Sequence, residues 1–170
     1  MADDTPQDAI ALLKTDHRKV EDLFEQFEKA SGNGRKRKLA EKICMELTIH
    51  TVIEEEIFYP ACMGKVAEDD LNEAYVEHDG AKVLIAEIEA GSPDEDFYDA
   101  KVKVLSEMIK HHVGEEEKRS EGTFAQARKA GIDMDAIGRE LAMRKDALIA
   151  NYKASGTPEP ETKTFTEVSL

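Results

Sequence analysis

The chain has no tryptophan, and only six phenylalanines and four tyrosines among 170 residues. A core of this size must therefore be built mainly from aliphatic side chains. Cysteine is scarce: Cys44 and Cys62 form no CxxC pair, and a single bridge would be a thin framework for this length. Buried free thiols in a reducing compartment are expected. No apolar run approaches the roughly 20 residues a membrane-spanning helix needs. The opening Met-Ala-Asp-Asp-Thr-Pro lacks the features of a secretory signal, so the expected location is cytoplasmic. Positive charge is short: 23 Lys and Arg stand against 37 Asp and Glu, a net charge of −14. Nucleic-acid and anionic-membrane surfaces both need basic patches, so neither partner is expected.

What the chain does have is helical periodicity, with 41% hydrophobic residues to bury. Thr5 and Pro6 read as an N-cap and first helical residue. Ile10, Leu13, His17, Val20, Phe24 and Phe27 then recur at helical spacing as far as about Ala30. Ser31 to Gly34 is a turn. A second helix from about Arg35 carries Ala40, Ile43, Leu47, His50, Glu54, Ile57 and Ala61 on one row, with Pro60 and Gly64 ending or bending it. A third, from Asp69 or Asp70, carries Leu71, Ala74, His78, Ala81, Ile85 and Ile88. A fourth carries Tyr98, Val102, Leu105, Ile109, His112 and Glu116. A short helix fits Thr123 to Ala130 and a fifth long one Met134 to Tyr152. No segment has strand periodicity. The expected fold is all-α: an up-down-up-down four-helix bundle over residues 1–132, an additional C-terminal helix packed on it over 133–153, and a mobile tail over 154–170.

Each of the four apolar rows contains a histidine: His17, His50, His78 and His112. A core stripe covers about three positions in seven, so four coincidences have a chance of roughly 3%. Two rows also carry a glutamate four residues after the histidine, Glu54 and Glu116. Four residues advance a helix by about 400° and roughly 6 Å, so imidazole and carboxylate leave the same face one turn apart. Glutamate is almost never buried unpaired; among buried imidazoles it calls for a cation. A lone core histidine is more often bonded to a carbonyl, and a Glu-Glu-Glu run more often faces water. It is the set of six that points to metal. A competing register puts His111 and Glu115 inward, but it also buries Lys101, so His112 with Glu116 is preferred and His111 falls at the edge of the core.

One His, a His-x-x-x-Glu, one His and a second His-x-x-x-Glu form a pattern. With the local wording Asp16-His17-Arg18, His50 through Glu-Glu-Glu-Ile-Phe-Tyr-Pro, Glu77-His78-Asp79 and His111-His112-Val113-Gly114-Glu-Glu-Glu, it resembles the hemerythrin-like (HHE cation-binding) domain over about residues 8 to 130. The resemblance implies two iron ions, oxo- or hydroxo-bridged. His17, His50, His78 and His112 would be terminal ligands, and Glu54 and Glu116 would bridge. Oxygen-carrying members have a fifth histidine where this chain offers Ala74 or Lys82. Their fourth-helix carboxylate is also usually an Asp at a longer spacing, where this chain has Glu116.

Six such side chains supply eight metal contacts, which leaves about four of twelve octahedral positions for water, a bridge and substrate. Iron suits such mixed nitrogen and oxygen ligation; manganese would too, and zinc would bind but be redox-silent. Open positions on both metals favour hydrogen peroxide dismutation, a catalase-like activity, or reaction with oxygen or nitric oxide in stress defence, over simple carriage. A second reading is an iron-responsive or iron-storing module without turnover; the residues do not choose between an enzyme and a binding protein. A third is a plain helical scaffold. Tyr75, one turn before His78, and His111 are candidate residues supporting the ligands from behind.

Overall fold

The computed structural model describes residues 8–166; the expected Thr5–Pro6 helix start lies outside them. Helix α1 spans Ala9–Lys29 and α2 Asn33–Ile53. A wider π-helical turn, Glu54–Phe58, and α3, Tyr59–Cys62, continue α2 as one rod. Then come α4 (Glu68–Ala90), α5 (Tyr98–Glu117), the short α6 (Thr123–Lys129) and α7 (Met134–Ser155). No strand occurs among the described residues.

Local chemistry sets the boundaries. Asp8 caps α1 by accepting from the Ala11 N–H at 2.8 Å. Gly32, at φ +90°, supplies the left-handed turn into α2. Glu68, Asp69 and Asp70 crowd the first turn of α4, where the helix dipole favours negative charge. After α5 the chain doubles back so closely that a Cβ on Gly122 would lie 2.6 Å from the Glu116 carbonyl oxygen.

Pro60 shapes the middle of the second rod. It has no N–H to give the Glu56 carbonyl, and its ring would crowd that carbonyl in an α-helix. The backbone widens instead, and the Tyr59 N–H reaches back five residues to the Glu54 carbonyl. The inserted residue rotates everything after Glu54. Ile57 and Ala61, expected on the inner row, are only partly buried, while Phe58, Tyr59 and Cys62 are fully buried.

Consecutive long helices are neighbours around the bundle: α1 packs on α2, α2 on α4, α4 on α5, and α5 on α1. This is the expected up-down-up-down bundle with an additional C-terminal helix. That helix, α7, lies against α1, α2 and the π-turn, with Leu141 fully buried and Leu148 packed on the same core. The apolar core comes in two pieces. One contains Ile10, Leu13, Ile53, Phe58, Leu71, Phe124 and Leu141. The other contains Val20, Phe24, Phe27, Ile43, Leu47, Ile85, Val102 and Leu105. His17, His50 and His78 fall between the two pieces along their helices, so a buried polar layer divides the bundle. Cys44 and Cys62 are free thiols, one in each apolar piece.

The segment after α7 was expected to be mobile. In the structure its described residues run back along the bundle, where Lys163 and Thr164 donate to Asp79.

Candidate metal centre

His17 and His50 face each other with Nε2 atoms 3.1 Å apart, and His78 and His112 do the same at 3.1 Å. All four rings are buried. Two glutamates lie between the pairs. Glu54, fully buried, has Oε1 3.1 Å from His50 Nε2 and Oε2 3.2 Å from His78 Nε2. Glu116, 1% exposed, has Oε2 3.3 Å from His17 Nε2 and Oε1 3.5 Å from His112 Nε2. The six residues predicted from spacing converge, each glutamate spanning a His17–His50 end and a His78–His112 end. His112 and Glu116 are the buried pair, whereas His111 and Glu115 are exposed.

The outer ring nitrogens each face a carboxylate. His17 Nδ1 donates to Glu117 at 3.2 Å, His50 Nδ1 to Asp16 at 3.2 Å, His78 Nδ1 to Glu55 at 3.0 Å, and His112 Nδ1 to Glu77. A carboxylate outside each ring keeps the hydrogen on Nδ1 and turns the Nε2 lone pair inward. With the rings neutral, the two Nε2–Nε2 contacts set lone pair against lone pair. In that state Glu54 Oε1 and Glu116 Oε2 are also buried with no hydrogen-bond donor, a costly arrangement. A cation at each end removes both problems, so the donor set fits metal. His17, His50, Glu54 and Glu116 form one candidate group, with ligand atoms within 4.8 Å of one another; Glu54, His78 and His112 form another.

Without metal, protons compensate. Burial pushes the His50 imidazole down, but the Glu54 charge and the Asp16 hydrogen bond outweigh it and carry it up to about 10. His112 moves the same way, burial again opposed by Glu116. Burial and the Glu116 charge push Glu54 up, yet His50 and His78 hold it down to about 2.

Sequence reasoning missed Tyr59. The π-turn aims its hydroxyl into the layer, where it donates to Glu116 Oε1 at 2.7 Å and stands 3.2 Å from Glu54 Oε2. It lies 3.2 Å from His78 Nε2 and 3.3 Å from His112 Nε2. Burial, then the charges of Glu116 and Glu54, raises this phenol well above its ordinary range. Tyr75, expected behind the ligands, packs edge-on against the Tyr59 ring, centroids 5.3 Å apart. His111, 62% exposed, lies 3.2 Å from Glu77, the carboxylate behind His112.

The carboxylates behind the rings were also missed. Each is the sequence neighbour of a ligand: Asp16-His17, Glu54-Glu55, Glu77-His78 and Glu116-Glu117. Each serves a histidine on another helix. That fourfold acidic neighbour was the available signal.

A cavity of about 430 Å³, lined by Asp70, Glu73, Glu77, Glu121 and Gln126 among others, reaches His112 and Glu116. At the other end the Phe124 ring stacks on His17 at 5.8 Å. Among the described residues no helix is long and apolar enough to cross a membrane.

The hemerythrin HHE cation binding domain model matches residues 8–120. A curated DNA nickase of Nostoc sp. is 30% identical over 106 residues, 62% of this chain but 30% of that protein, so the chain spans under a third of that relative's length. The crystal structure of a hemerythrin HHE cation binding domain-containing protein from Mycobacterium kansasii superposes with a TM-score of 0.71 at 20% identity. That match covers 88% of this chain and 94% of the other, a likeness of fold. The chain belongs to the hemerythrin HHE cation-binding domain family.

Proposed function

We propose that this protein holds a pair of iron ions on His17, His50, His78, His112, Glu54 and Glu116, and reacts there with hydrogen peroxide, oxygen or nitric oxide. The observation that carries the reading is the paired Nε2 lone pairs, each set by a carboxylate on the far side of its ring. When bound, two irons supply two-electron redox chemistry at open coordination positions. The chain supplies the rest. Glu54 and Glu116 span the two ends and hold them together. Tyr59 keeps a proton on its hydroxyl over the His78–His112 end. The apolar pieces on either side keep bulk water out, while the cavity beside His112 admits a small molecule.

Chain purified without chelator and loaded with iron(II) in air should contain iron in elemental analysis and absorb in the near ultraviolet. It should also consume added peroxide. A colourless chain without metal overturns the reading. Iron retention without turnover of any of the three molecules leaves an iron-responsive or iron-storing module. DNA nicking does not follow from the Nostoc relative: the alignment spans 30% of that protein, and a net charge of −14 opposes binding a phosphate backbone.

A further inference from the structure

Beyond the matched region 8–120 and the short α6 lie α7 and the segment 156–166 that follows it. Each sends one ammonium group to a carboxylate behind a histidine. Lys145, on α7, pairs with Asp16 Oδ1, and Asp16 Oδ2 accepts from His50 Nδ1. Lys163 Nζ lies 3.0 Å from Glu55 Oε2, and Glu55 Oε1 accepts from His78 Nδ1. His50 belongs to one end of the polar layer and His78 to the other. One cation from the C-terminal extension therefore stands behind each end.

The segment is anchored at a second point. Asp79, fully buried, accepts from the Lys163 N–H at 2.9 Å, the Thr164 N–H at 2.6 Å and the Thr164 hydroxyl at 2.6 Å. Lys82 Nζ ties the pieces together, donating to Glu55 Oε2 at 3.0 Å, Asp79 Oδ1 at 3.2 Å and the Glu161 carbonyl at 3.0 Å. Capping a buried carboxylate would be reason enough for the Asp79 contacts. It does not explain the ammonium groups. In so acidic a chain exposed partners abound, yet both lysines reach carboxylates whose side chains are only 5% and 3% exposed.

We infer that the C-terminal extension is a clamp on the metal centre. Lys145 and Lys163 are positioning residues that fix His50 and His78 through Asp16 and Glu55. The inference rests on the metal reading above. Binding free energies are reciprocal: if the extension holds metal in place, metal holds the extension in place. Helix α7 docks through buried Leu141 and stays put. Segment 156–166 is held to Asp79 and Glu55 by polar contacts, so its docking reports whether metal is bound.

The test uses the full chain, loaded anaerobically with iron(II) and challenged with excess EDTA. Groups bonded directly to a ligand are worth about 10–100-fold in affinity; one step further out, Lys145→Met and Lys163→Met should each release iron at least about threefold faster, each accelerating a different one of two release phases. Lys163→Arg should restore slow release, and Lys153→Met, exposed on the same helix as Lys145, should release like the wild type. Hydrogen exchange over 156–166 should slow on iron loading in the wild type and not in Lys163→Met. Should a methionine variant aggregate, Lys→Gln at the same position repeats the measurement. Unchanged release in both lysine variants of a chain that does load iron overturns the clamp alone, as does equal acceleration by Lys153→Met. A wild-type chain that takes up no iron overturns the metal reading itself.

Discussion

The two ends of the polar layer are built on one plan and finished differently. Each has a histidine from a single-His helix, a histidine from a His-x-x-x-Glu helix, an oxygen from each glutamate, and a carboxylate behind each ring. At the His17–His50 end the glutamate oxygens face only imidazole nitrogens and Phe124 covers His17. At the His78–His112 end the Tyr59 hydroxyl donates to Glu116, 3.2 Å from Glu54, and a cavity opens beside His112. One end offers only imidazole and carboxylate and is covered by an aromatic ring; the other adds a hydroxyl and is reachable. The difference traces to the backbone, since Tyr59 faces inward only because Pro60 forces an extra residue into the turn.

The largest test removes what the ends share. Glu54→Ala takes an oxygen from both, so elemental analysis should find metal lost from both ends. His17→Ala and His78→Ala should each empty their own end alone. If His78→Ala empties both ends, they are not separable.

Next in size is pH. Without metal, His50 is raised from 6.5 to about 10, so its stabilising contribution is whole below pH 6.5 and fades as pH rises through 10. Glu54 is lowered from 4.5 to about 2, so its contribution is whole above pH 4.5 and is lost as pH falls through 2. Both are whole only from pH 4.5 to 6.5. Thermal melts of metal-free protein should peak there, and loading should move the optimum upward, because metal displaces protons from these donors. A loaded optimum at the same pH would count against ligation by His50.

Tyr59→Phe erases the main difference between the ends. Metal content should hold, the absorption spectrum should shift, and reaction with peroxide should change about tenfold. A spectrum identical to wild type would remove Tyr59 from the centre. The smallest effect is expected at Arg18, which pairs with Glu117 behind His17: that carboxylate is 19% exposed, against 5% for Asp16 and 3% for Glu55. Arg18→Met should change unfolding free energy by less than about 0.5 kcal/mol and leave iron release within twofold of wild type, unlike Lys145→Met and Lys163→Met.

The bundle and the six inward groups were legible because helical spacing repeats within each element. His17 falls between Leu13 and Val20, and His78 between Ala74 and Ala81, so apolar neighbours phase the polar ligand. Three things were not legible that way. The π-turn shifts the row by one residue, which hid Tyr59 and pointed to Ile57 instead. Asp16, Glu55, Glu77 and Glu117 sit about 100° round from the ligands on their own helices, where a single-helix reading assigns them to water; their partners lie on other helices. The polar segment after α7 has no periodicity, and its contact with Asp79 depends on a carboxylate 84 residues earlier.

The two sulfurs have a consequence of their own. Burial first, then nearby glutamate charge, pushes the Cys44 and Cys62 thiols up to about 12. Oxidants attack thiolate, so a thiol held protonated in this way resists them even beside a centre of the proposed kind. Labelling by an alkylating reagent then times the rare moments when the bundle comes apart, and iron should lengthen the wait.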